Sequence, residues 1–94
     1  MENCIIIDIS KNFTIDEAAK FRLKVNKDIE SGNINFLLDF SGCDFIDSTG
    51  LGVIVSAYKK CVEHNGNIKL KGLKEPVRKL FSLTRLDKVF EIYP

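Results

Sequence analysis

Short apolar runs alternate with amphipathic segments along the whole chain, and this alternation limits the fold more than any single residue does. Residues 4–9 are apolar at nearly every position until Asp8, and mostly β-branched. A strand covered on both faces looks like that. Ser10-Lys11-Asn12 reads as a polar turn. Thr14 then opens a helix. Thr14-Ile15-Asp16-Glu17 fits the capping box, with Phe13 at the staple position. Ala18, Phe21, Val25 and Ile29 recur at steps of three and four and form one apolar stripe. Ser31-Gly32-Asn33 ends the helix, Gly32 being suited to a left-handed cap.

Residues 34–40 give a second strand, again apolar at consecutive positions. Ser41-Gly42-Cys43-Asp44 is a loop, and Phe45-Ile46 dips back into the core. A second helix runs from about residue 49 to 64, with Leu51, Ile54, Val55, Tyr58, Cys61 and Val62 on one face and Asn65-Gly66 as its stop. Residues 67–73 alternate, with Ile68 and Leu70 on one side and Lys69 and Lys71 on the other. That pattern predicts a half-exposed, edge-like strand, able to pair in an oligomer of undetermined state. Lys74-Glu75-Pro76 begins a third helix, with Pro76 at the first helical position and Val77, Leu80 and Phe81 buried. Residues 83–87 make a turn and residues 89–93 a last strand. The order β-α-β-α-β-α-β predicts an α/β fold: one domain over residues 1–94 with a mostly parallel sheet of about four strands. Its crossovers should be right-handed.

Composition removes several functions. The net charge of +1 gives no general pull toward nucleic acid or anionic membrane. The cations Lys69, Lys71, Lys74, Arg78 and Lys79 need only solvent to explain them. No apolar stretch approaches the roughly 20 residues of a membrane span. Met1-Glu2-Asn3 and the run behind it are too short and too acidic for a signal peptide. Three scattered cysteines, Cys4, Cys43 and Cys61, argue against a disulfide framework and for a reducing cytoplasm. Cys4 and Cys61 are expected to be buried, and Cys43 to sit in an exposed loop.

The chemistry concentrates at Asp47-Ser48-Thr49-Gly50-Leu51-Gly52. Asp47, Ser48 and Thr49 are all good helix N-caps, so a hydroxyl stands where backbone N–H groups lack partners and the dipole is positive. The loop also follows the carboxyl end of a parallel strand, where function gathers in open sheets. As a nucleophile Ser48 would need a base. The one histidine, His64, lies about 24 Å along the same helix. The glycines are too few for a phosphate-cradling loop, and no P-loop lysine follows. Cys61 and His64 offer two ligands, which do not make a metal site. No enzyme activity, metal or cofactor is therefore expected. Ser48 reads instead as a residue acted upon, with Gly50 and Gly52 leaving the backbone open to a partner. A phosphate there would cap the helix and change any interface formed at it.

At this segment the chain resembles the anti-sigma factor antagonists, the STAS-domain family of bacterial partner-switching systems. Residues 45–53 look like the family signature, in which the serine after the aspartate is the phosphorylation site. Leu37-Leu38-Asp39-Phe40, Asn65-Gly66-Asn67-Ile68, Pro76-Val77-Arg78-Lys79-Leu80-Phe81 and Leu86-Asp87-Lys88-Val89-Phe90 resemble the family's flanking strand, turn, third helix and final strand. The resemblance is strongest over residues 34–93. Ser10-Lys11-Asn12-Phe13-Thr14 stands where the family has a Gly-Glu-Leu-Asp-like turn, and a further N-terminal strand and a C-terminal helix are usual in the family. The resemblance implies an unphosphorylated form that binds an anti-sigma factor with serine kinase activity and frees a sigma factor. Phosphorylation of Ser48 would reverse this, and a metal-dependent serine/threonine phosphatase would reset it. Asp47, Ser48, Thr49, Gly50, Leu51, Gly52 and Thr14 would form the partner surface. The alternative is a STAS docking subunit of a signalling or lipid-transport complex whose loop is never modified.

Overall fold

The structure is a computed structural model that describes residues 4–94; the N-terminal Met1-Glu2-Asn3 discussed above lies outside the described residues. The strands are β1 (Ile5–Asp8), β2 (Asn12–Phe13), β3 (Asn35–Asp39), β4 (Phe45–Ile46), β5 (Asn67–Lys71) and β6 (Glu91–Tyr93). The helices are α1 (Ile15–Glu30), α2 (Ser48–Glu63) and α3 (Glu75–Leu83), with a short 3₁₀ turn at Leu86–Lys88. Four strands make one parallel sheet in the order β1-β3-β5-β6. This is the expected α/β architecture. The strand order never reverses, so right-handed crossovers place α1, α2 and α3 on the same face.

That single covered face explains the burial. Phe36, Leu38, Ile68 and Leu70 are fully buried, whereas Leu37, Asp39, Lys69 and Lys71 between them stay half-exposed. Two expectations are corrected here. β1 is an edge strand with one bare face, and its Ile6 is exposed. β5, read as an edge, is paired on both sides, to β3 and β6. Its alternation comes from the uncovered sheet face, and the free edges belong to β1 and β6. On the bare face Lys69 pairs with Glu91 and hydrogen-bonds Tyr93, and Lys71 pairs with Asp39.

The helices are positioned by their apolar stripes. Ala18, Phe21, Val25 and Ile29 of α1 are all buried, as their spacing requires. Ser31 closes α1 and Gly32 follows at φ +93°, the left-handed position a side chain would strain. On α2 the buried residues are Gly50, Ile54, Ala57 and Cys61; Leu51, Val55 and Tyr58 are half-buried, and Val62, read as core, is exposed. Pro76 occupies the second position of α3, not the first, because Lys74 is the N-cap. Val77 and Phe81 are buried and Leu80 is half-buried. The last strand starts later than expected, at Glu91, leaving Val89 exposed. An edge-to-face chain of rings, Phe40–Phe81–Phe90–Tyr58, ties the sheet, α3 and α2 together.

The cysteines depart from expectation in two places. Cys43 is fully buried despite its loop position, with its Sγ donating to the Phe45 carbonyl at 3.4 Å, and Cys4 is only half-buried. Burial pushes the Cys43 thiol up, and pushes Cys61 to about 11. At pH 8 an alkylating reagent should therefore label Cys4 alone in the folded protein and all three thiols in denaturant, counted by intact mass.

Candidate functional site

Two very short strands, which the sequence did not disclose, build the site. β2 and β4 pair in parallel, Asn12 with Phe45 and Phe13 with Ile46, as a separate two-stranded sheet. Each leads directly into a helix. The register therefore sets the N-cap of α1, Thr14, level with the N-cap of α2, Asp47, and the two helices start side by side. Phe13 and Ile46 point inward and are buried; Phe13 meets Phe21 edge-to-face at 5.5 Å. The alternation of a strand then turns Phe45 outward, where it is 53% exposed, and not into the core as expected.

Of the three candidate caps, Asp47 holds the position. Its Oδ1 accepts from the Gly50 N–H at 2.7 Å, and its carbonyl accepts from the Leu51 N–H at 3.0 Å. Ser48 is then the first residue of α2, and both Ser48 and Thr49 are exposed. The first turn of α2 carries no acid of its own, so the capping Asp47 carboxylate is the charge that meets the positive end of its dipole. Thr14 is the N-cap of α1 by backbone, but its hydroxyl makes no capping bond, so the expected reciprocal box is not formed. Asp47→Ala should cost about 1 kcal/mol and Asp47→Asn much less, read from denaturant midpoints.

The two glycines differ. Gly52 is exposed, and a Cβ there would meet nothing within 4 Å. Gly50 is buried, and a Cβ there would lie 2.4 Å from the Phe13 carbonyl oxygen and 2.8 Å from the Phe13 ring. Gly50 therefore lets α2 seat against β2; it is not an open approach for a partner, as the sequence suggested. Leu51 is half-buried and packs on the core. What remains facing out around Ser48 is Thr49, Gly52, part of Thr14 and two apolar side chains, one expected in the core and the other given no surface role by the sequence. These are Phe45 on the α3 side and Ile15, 64% exposed, at the start of α1. Beside Phe45, the Lys74 ammonium donates to Asp44 Oδ1, which holds the Asp44 carboxyl below its usual range and ties the loop to α3. A side chain one residue from a buried strand position carries the signal that would have found Phe45.

His64 lies at the far end of α2, where its Nδ1 meets the Lys60 carbonyl. No group of three or more His, Cys, Asp or Glu side chains converges among the described residues, and no described helix is long and apolar enough to cross a membrane.

A family model for the STAS domain matches residues 1–94, including the segment before residue 34. The chain is 31% identical over 91 residues to the anti-sigma-B factor antagonist of Bacillus subtilis, covering 97% of this chain and 83% of that protein. It superposes on the crystal structure of TM1081 from Thermotoga maritima with a TM-score of 0.91 at 29% identity, over all of this chain and 81% of that one. The phosphorylated form of the Bacillus cell fate determinant SpoIIAA matches in fold, with a TM-score of 0.79 at 18% identity over 98% of this chain and 84% of that one. On the family match and this shared architecture, the chain belongs to the STAS domain family.

Proposed function

We propose that this protein is an anti-sigma factor antagonist that works in the cytoplasm by partner switching, with Ser48 as the phosphorylated residue. The observation that carries the proposal is the placement of Ser48. It is exposed on the first turn of α2, directly after a cap that Asp47 already makes. Asp47 fixes the turn, so the hydroxyl faces outward to a kinase and is not consumed in capping. Relatives named as anti-sigma factor antagonists support the general role.

The physics of release follows from the same geometry. A phosphate adds roughly −2 of charge at a helix N-terminus, where it is tolerated, so the fold persists. The partner, an anti-sigma factor with serine kinase activity, would meet a surface of Ile15, Phe45, Thr14, Thr49 and Gly52 around a neutral Ser48. Charge and bulk at the centre of that surface break the contact. Dephosphorylation by a serine/threonine phosphatase restores it, and the antagonist itself needs no cofactor and catalyses nothing.

Incubation of the purified protein with ATP and native cell lysate tests the modification. Phosphate is expected on the tryptic peptide containing Ser48 and absent in Ser48→Ala. Phosphate elsewhere, or on no residue, would contradict the reading.

A further inference from the structure

Beyond Ser48 the α1–α2 layer carries a small recess of about 190 Å³ between the two helices. Its walls are Val25, Val53 and Ala57, and its rim is Arg22, Asn26 and Lys60. The volume is below the 300–1,000 Å³ usual for cofactor or drug-sized ligands, and suits one aliphatic side chain. The recess lies on the same helix pair as Ser48. Ser56 at its margin is two turns along α2, about 12 Å from Ser48 by helical rise.

The charge around it is one-sided. Among the described residues neither Arg22 nor Lys60 forms an ion pair; Lys60 donates to the Asn26 side-chain oxygen at 2.8 Å. The α1 lysines that do have acids, Lys20 with Glu17 and Lys24 with Asp28, leave Arg22 without one. An apolar hollow under two uncompensated cations fits an aliphatic side chain accompanied by a carboxylate, and repels a basic segment.

We propose that this recess is an anchor pocket for a protein partner, taking a Leu-, Ile-, Val- or Met-type side chain whose neighbouring Asp or Glu pairs with Arg22 and Lys60. The pocket extends the surface around Ser48. It rests on the partner-switching reading for the identity of the partner, but not for its chemistry.

The test is selection from a phage-displayed library of random linear peptides on the whole protein. Titration of a selected peptide into ¹⁵N-labelled protein then locates its site. Selected peptides are expected to pair an acid with an aliphatic residue and to shift the amides of Val25, Val53 and Ala57. Affinity should fall about tenfold or more in Arg22→Glu/Lys60→Glu. Ser56→Phe, at the exposed margin, should block binding while leaving the charges in place. Failure to select binders, peptides without acids, shifts elsewhere, or equal affinity for the double variant would each overturn the pocket. If the pocket fails while capture of an anti-sigma factor still depends on Ser48, the pocket alone is wrong. The reverse pattern leaves the pocket and removes partner switching.

Discussion

Gly50→Ala is expected to lower the thermal midpoint of this domain by roughly 15 °C. The added methyl would sit 2.4 Å from the Phe13 carbonyl oxygen and 3.1 Å from Ile46, both part of the short paired strands that seat α2. Backbone cannot swing aside as a long side chain can, so α2 must shift. Overpacking of this kind costs about 3 kcal/mol. In a domain of this size each kcal/mol is worth roughly 4–8 °C. Gly52→Ala is the control, two residues on along the same helix, on its opposite and open side. It should stabilise by about 0.5–1 kcal/mol, since alanine is the better helix former. Paired melts by circular dichroism read both values. Similar melts for the two variants would show that Gly50 does not set the seating of α2.

The second large effect is on binding. Phe45→Ala is expected to weaken the anti-sigma partner by about 10–100-fold, the range of a central aromatic contact in an interface. The midpoint should fall only a few degrees, because half of the ring is already in solvent and its strand neighbour Ile46 keeps the core contact. Ile15→Ala, on the opposite side of Ser48, should act in the same direction more weakly. Titration calorimetry against the partner, with a melt of each variant, separates contact from folding. Unchanged affinity for Phe45→Ala would remove that side chain from the surface.

The α1 stripe was legible in full because its large apolar residues recur without apolar neighbours to confuse the face. Ala18, Phe21, Val25 and Ile29 could share only one face, and that face is buried. On α2 the adjacent pairs Ile54-Val55 and Cys61-Val62 blurred the stripe, so that Val62 was read as core and Ala57 was missed. The strands were harder, because alternation has two causes. Ile68-Lys69-Leu70-Lys71 alternates in a central strand because the sheet is bare on one side, and the sequence cannot tell that from an edge. The converse error occurred at Ile5-Ile6-Ile7, where β-branched residues suit a pleated backbone even when one of them, Ile6, faces solvent. β2 and β4 are two residues each, too short for any period, so the device that aligns the two helix starts was invisible. Gly50 and Gly52 look alike in sequence; the partner that tells them apart, Phe13, arrives only through the fold. The position of Ser48 was legible because its neighbours are cap formers, although choosing Asp47 as the cap needed the bond to Gly50.

The most direct measurement of the central claim is capture from native cell lysate with Ser48→Ala and Ser48→Asp baits, read by quantitative mass spectrometry. Partner switching at Ser48 requires that the alanine bait recover an anti-sigma factor with serine kinase activity, and that the aspartate bait recover at least about tenfold less. Equal recovery of one complex by both baits would contradict it and leave a docking surface that charge at Ser48 does not control.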